Sequence, residues 1–128
     1  MKKINNNGDL SKNNINFEIK TSLGGSNFNK FNFVQIRLNQ NCDYILTAYN
    51  LSIENLTDNG ELFIFKINKE NMKKLILKYG SYSHGTISLL GKIDTDNINN
   101  NREYSLRPKY NSILWKELLL FRIKETDI

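Results

Sequence analysis

Ile15-Asn16-Phe17-Glu18-Ile19-Lys20-Thr21-Ser22 alternates its side chains with a period of two over eight residues, the pattern of a strand buried on one face. Ile15, Phe17, Ile19 and Thr21 would then point inward, and Asn16, Glu18, Lys20 and Ser22 would form a polar face. Leu23-Gly24-Gly25-Ser26-Asn27 ends the strand as a turn. Upstream, residues 1–7 read as a disordered arm leading into a short strand around Gly8 to Ser11.

Downstream, Phe31 to Leu38 is ambiguous. Phe31, Val34 and Leu38 suit a helix face, Phe31 and Phe33 also suit a strand, and a short helix is favoured. Tyr44 to Tyr49 is an almost continuous apolar run, which suggests a central strand covered on both faces. Asn55 to Gly60 is a turn, and Glu61 to Ile67 reads as a second buried strand. A helix follows, with Asn68 as cap, Met72, Leu75, Ile76 and Tyr79 as its apolar stripe, and Gly80 as its stop. Residues 94–102 read as a polar mobile loop, and Ile113 to Ile123 as a helix with Leu114, Leu118 and Phe121 in its stripe and Trp115 beside it. The sum is one α/β or α+β domain over residues 1–128, with about four strands and two or three helices.

Composition bounds the function. A chain of 128 residues can bury one core but not two, which excludes a multidomain enzyme. Cys42 stands alone, so neither a disulfide framework nor a thiolate zinc cluster is expected, and a reducing, cytoplasmic setting fits. Met1-Lys2-Lys3-Ile4 has the positive flank of a signal peptide, but a polar run follows it, and no stretch approaches a membrane span. The net charge of +5 suits a phosphate-bearing partner. A strong bias toward Asn, Lys and Ile lowers the weight of that count, and it makes the Asn50 and Asn55 glycosylation sequons coincidental.

The chemistry is concentrated near the opening strand. Glu18 and Lys20 are two residues apart and project to one side, and Asp9 lies nine positions before Glu18 in the preceding short strand. A hairpin would bring two carboxylates and one ammonium to a point. Two carboxylates and a backbone carbonyl can hold Mg²⁺, which acidifies a bound water and stabilises charge on a phosphate. With 13 acidic residues and 14 lysines, an acid-x-Lys triplet arises about once by chance. Its place in the cleanest alternating strand, with an acid at strand-pair distance, gives this one weight.

Gly8-Asp9-Leu10, Phe17-Glu18-Ile19-Lys20-Thr21-Ser22, Phe31-Asn32-Phe33-Val34-Gln35-Ile36-Arg37 and Asp43-Tyr44-Ile45-Leu46 together resemble the core of the PD-(D/E)XK nuclease superfamily, in particular its restriction-endonuclease-like members. The resemblance spans residues 8 to 50 and continues loosely through His84-Gly85-Thr86 and Tyr104 to Arg122. It implies a restriction-endonuclease-like core and a metal-dependent endonuclease acting on double-stranded DNA. Asp9, Glu18 and the carbonyl of Ile19 would bind Mg²⁺, for which Mn²⁺ can substitute, and Lys20 would serve the nucleophilic water. Gln35 and Arg37 would support the site or touch the DNA backbone. Cleavage of both strands implies a homodimer or a partner nuclease subunit. Two departures stand out: Gly8 replaces the proline of the family name, and only eight residues precede the first acid where the family places a helix. The core helix is then missing, supplied by a partner chain, or lost because the chain is a fragment.

Other residues carry weaker signals. Lys12, Lys30, Arg37, Lys66, Arg107 and Lys109 could line a phosphate track, and Tyr79, Tyr82 and Tyr110 could stack on bases. Arg107 and Lys109, fixed around Pro108, are the expected DNA patch. Ser22 reads as a backbone or phosphate hydrogen-bonder, and His84 as a loop residue touching backbone or DNA. Phe31, Phe33 and Trp115 read as core. The plain alternative for Glu18 and Lys20 is an exposed charge pair worth at most about 1 kcal/mol. The alternative for the chain is a catalytically weak or inactive DNA-binding or assembly subunit of the same fold, or a small interaction protein with no nucleic-acid role.

Overall fold

Alternation in the opening stretch does produce a strand, but both of its faces are used. The computed structural model describes residues 10–12, 15–25, 30–38, 42–51, 61–83, 93–96, 98 and 102–127. In chain order the elements are β1 (Leu10–Lys12), β2 (Ile15–Gly25), β3 (Phe33–Arg37), β4 (Asp43–Leu51), β5 (Glu61–Ile67), α1 (Lys69–Tyr79), β6 (Ser81–Tyr82), β7 (Glu103–Leu106), α2 (Ile113–Leu119) and β8 (Arg122–Ile123), with a 3-10 turn at Glu125–Asp127. A five-stranded mixed sheet runs β1-β2-β4-β5-β8, and a three-stranded antiparallel sheet runs β3-β7-β6. Within the larger sheet β2 and β4 are parallel, so their connection must cross over, and it does so through β3 of the smaller sheet.

Register shows which side chains share a face. Glu18, Tyr44 and Ile67 form one row across β2, β4 and β5; Lys20, Leu46 and Phe65 form the next; Ser22, Ala48 and Phe63 form a third. The β4 and β5 members of these rows belong to the main core, together with Phe33 and Ile36 of β3, Met72 and Ile76 of α1, Tyr104 and Leu106 of β7, and Leu114, Trp115 and Leu118 of α2. Phe17, Ile45 and Ile64 form a smaller cluster on the opposite face, with Ile19 and Ile123 against it. The polar side of β2 thus lies on the face that carries the main core, the reverse of the sequence expectation.

Three other expectations change. Phe31 to Leu38 is not a helix: Phe33–Arg37 pairs with β7, and Phe31, Phe33, Ile36 and Leu38 are the buried members. Gln35, at φ 56°, sits in the register shift between Phe33 and Ile36 and moves the inward positions by one residue. That shift turned a period of two into a spacing that imitates a helix. The last helix stops at Leu119, where the amides of Leu120 and Phe121 bond back three residues and Arg122–Ile123 pairs with β5. Finally, one sheet of about four strands is instead two sheets, of five and three strands; β6, β7 and β8, at two to four residues, are too short for the sequence to show a period.

The helix after β5 forms as expected. Asn68 Oδ1 accepts from the Asn71 amide, Met72, Leu75 and Ile76 are buried, and the Gly80 amide donates to the Ile76 carbonyl. Both strands read as doubly covered are so, since Tyr44, Ile45, Leu46 and Ala48 of β4 and Phe63, Ile64, Phe65 and Ile67 of β5 are all buried. Trp115 organises the aromatic centre, with Phe31 stacked on it at 4.9 Å and Phe63 and Phe65 edge-on at 4.8 and 5.4 Å. The expected arm at 1–7 lies outside the described residues. Of the expected loop at 94–102, Ile93 just before it is buried, and the amides of Asp96 and Ile98 bond back to Asp94 at 2.9 Å.

Candidate functional site

Glu18 stands in a row whose other members are Tyr44 and Ile67, and it is only 6% exposed. Charged side chains are almost never buried to this extent unless paired. Lys20 supplies the charge: its ammonium is 3.4 Å from Glu18 Oε1, with a fifth of the side chain accessible. The two project to one side because they are two apart in an extended strand. Parallel pairing with β4 holds one flank of β2 from Phe17 to Gly25.

Tyr44 is the neighbour that the sequence hid within an apolar run. Its hydroxyl donates to the Arg37 carbonyl, and burial, then the charges of Cys42, Glu18 and Asp43, push the phenol far above the ordinary tyrosine range. Tyr44 is therefore a neutral hydrogen-bond donor that ties β4 to the end of β3. Asp43, next to it, turns to α1, where its Oδ1 accepts the Lys69 amide at 2.9 Å. The Thr47 hydroxyl donates to the Lys20 carbonyl at 3.5 Å, so that carbonyl faces β4. Because successive carbonyls of a strand alternate in direction, that of Ile19 faces the β1 flank.

The other sequence-predicted residues are dispersed. Ser22 continues the Glu18–Lys20 side of β2, and its Oγ accepts the Asn32 amide at 2.8 Å. Arg37 is engaged by Glu103 directly across β3 and β7, with Nε 2.6 Å from Oε2 and a second guanidinium nitrogen on the same oxygen. Gln35 donates its amide to Ser83 Oγ at 3.2 Å, and Ser83 in turn shares a hydrogen bond of 2.7 Å with Ser105. This buried serine pair carried no signal in the sequence, since serine is common in loops and both strands nearby are short. Asp9 and His84 lie outside the described residues.

The expected phosphate track does not form one surface. Lys66 lies on the far face of the larger sheet, its ammonium 5.1 Å from the Phe17 ring centre. Lys30, by contrast, pairs across an antiparallel bridge with Lys109, and both are exposed, as is Arg107. Among the tyrosines, Tyr82 is buried at 4% exposure and cannot present a stacking face, and Tyr110 is half-buried against Trp115 at 5.3 Å.

Comparison with protein-family models, curated proteins and solved structures finds no match for this chain. Among the described residues there is no group of three or more His, Cys, Asp or Glu side chains that could hold a metal. Among them, too, no helix is long and apolar enough to cross a membrane. The donors those residues offer a cation near Lys20 are the Glu18 carboxylate and the Ile19 carbonyl. Both are hard oxygen ligands, the kind Mg²⁺ accepts alongside retained waters and one further carboxylate.

Proposed function

We propose that the chain is a metal-dependent nuclease-like domain that hydrolyses phosphodiester bonds in DNA. One observation carries this reading: a carboxylate at 6% exposure, with a lysine ammonium at 3.4 Å, set in a row of core side chains. A buried ion pair is a poor way to stabilise a sheet, since apolar residues of similar volume usually do as well or better. A carboxylate taken out of water and held against an ammonium is instead an arrangement that reaction centres use. The resemblance to the PD-(D/E)XK pattern points the same way.

In this reading Glu18 and the Ile19 carbonyl, with Asp9, would hold Mg²⁺ or Mn²⁺. When bound, the cation supplies an acidified water and charge stabilisation at the phosphate. Lys20 orients the attacking water and offsets the charge that develops on the phosphoryl oxygens. Its position against Glu18 fixes the ammonium before substrate arrives. Scission of both strands requires a second site, from another copy or a partner subunit.

A second reading, a nuclease-fold subunit that binds DNA without cutting it, is favoured by the Lys30–Lys109 pairing, which serves binding whether or not hydrolysis follows. Supercoiled plasmid incubated with Mg²⁺ or Mn²⁺ separates the two. Wild type should nick or linearise it, and Glu18→Gln and Lys20→Met should not, with circular dichroism unchanged. Cleavage that persists in either variant overturns the assignment of these residues. Salt-sensitive binding with no cleavage under either metal favours the second reading.

A further inference from the structure

We infer that the outer side of the β3–β7 pair is a contact surface for the phosphate backbone of duplex DNA, built on Lys30, Arg107 and Lys109. The inference rests on the preceding section only for the choice of DNA as partner, and it stands with or without hydrolysis at Glu18.

Register places the three cations together. Phe33 pairs with Leu106, Lys30 pairs with Lys109, and the Phe31 amide donates to the Pro108 carbonyl at 2.9 Å. These contacts share one antiparallel alignment, which puts Asn32 opposite Arg107. Phe31, Phe33, Leu106 and Pro108 are buried, so the alternate residues Lys30, Asn32, Arg107 and Lys109 face outward, and all four are exposed. Directly paired residues bring their Cβ atoms within about 5 Å, and like charges so placed repel. Among the described residues none of the three cations has a carboxylate within ion-pair distance. Among the described residues no carboxylate offsets that repulsion; a bound anion would.

The shape of the array selects the anion. Arg107 and Lys109 are spaced about 6.6 Å along an extended segment, with Lys30 across from one of them. Pro108 fixes its own φ between the two and so limits their freedom. An extended row of cations matches a row of phosphates better than a single small anion, and the planar guanidinium of Arg107 suits two phosphate oxygens. The surface also connects to the candidate site. The Asn32 amide points away from β7 and is received by Ser22 Oγ, on the same side of β2 as Lys20 and Glu18. A duplex seated on Lys30, Arg107 and Lys109 would be held one hydrogen-bonded step from that polar row.

The test reads binding of a labelled duplex by fluorescence anisotropy over a range of salt concentrations, in chelator, so that metal and cleavage play no part. Lys30→Gln, Arg107→Gln and Lys109→Gln should each reduce the slope of log K against log salt by about 0.9, and the triple variant by about three times that. Lys73→Gln and Lys116→Gln, on exposed helix positions, should leave the slope unchanged. Lys30→Glu gives an independent readout, because opposing charge across the bridge should raise the melting temperature while it weakens binding. An unchanged slope in the triple variant, a lower melting temperature in Lys30→Glu, or binding to anionic lipid vesicles in place of DNA each overturns the inference. A wild type that binds but does not cleave removes the nuclease reading alone. A wild type that cleaves while the triple variant binds undiminished removes this one alone.

Discussion

Gly24 lies directly beneath the ring of Phe31, so close that a Cβ on Gly24 would overlap three of the ring carbons. The ring cannot retreat, because its other face is stacked on Trp115 at an interplanar angle of 13°. The glycine that the sequence suggests as a turn residue is therefore a strand position where β2 and the segment before β3 approach each other. Gly24→Ala should destabilise the protein by about 1–3 kcal/mol through overpacking. Equilibrium urea denaturation measures this, and Phe31→Leu in the same background should recover part of the loss. A Gly24→Ala protein as stable as wild type would contradict the close approach.

Glu18 and Lys20 make a prediction about stability that is separate from activity. Removal of the ammonium by Lys20→Met leaves a carboxylate at 6% exposure without its cation, whereas Glu18→Gln with Lys20→Met leaves no charge at all. The single Lys20→Met change should cost about 1–3 kcal/mol, less than a fully buried pair because the lysine is partly solvated, and the double change should cost less than the single. Denaturant midpoints of the four proteins form the thermodynamic cycle. Strict additivity would mean that the pair is not coupled.

How much of this was legible beforehand depends on what a period can carry. The α1 helix was, because Asn68, Gly80 and an apolar stripe agree with one another. So were β4 and β5, as long apolar runs. Glu18 and Lys20 were readable as a pair on one side of a strand, but not their burial: alternation says which residues share a face, not which face meets the larger core. Phe31 to Leu38 imitates a helix in sequence because one residue at positive φ shifts the inward positions. The Lys30–Lys109 pairing depends on contacts between segments nearly eighty residues apart, for which no local pattern exists. Asp9 and His84 remain readings from sequence alone.

Tyr44 should make the protein sensitive to alkali. Its folded phenol is held protonated well above the ordinary value of 10.0, while the unfolded chain titrates near that value. Above pH 10 the unfolded state therefore loses a proton that the folded state keeps, and stability falls by up to about 1.4 kcal/mol per pH unit until the folded group also ionises. Below pH 10 the contribution is fully present. Tyr82 is shifted the same way by burial, so Tyr44→Phe should flatten the decline without abolishing it. Thermal melts from pH 8 to 11 provide the measurement. Equal slopes for Tyr44→Phe and wild type would mean that the ring is not protected from ionisation.

Gln35 separates a backbone role from a side-chain role. Its φ of 56° is a conformation that glycine adopts freely and other residues adopt at a cost of about 1 kcal/mol or more. Its amide is committed to Ser83 Oγ, a bond that glycine would preserve, while its exposed side chain is the part expected to meet DNA. Gln35→Gly should therefore raise stability by about 0.5–1 kcal/mol in chemical denaturation, through relief of the left-handed strain net of a more flexible unfolded chain. Gln35→Val, β-branched and bulky, should lower it. If the side chain contacts DNA, Gln35→Gly should also weaken duplex binding in spite of its greater stability. A stabilised variant with undiminished affinity would assign Gln35 to the bulge alone and remove it from the DNA surface.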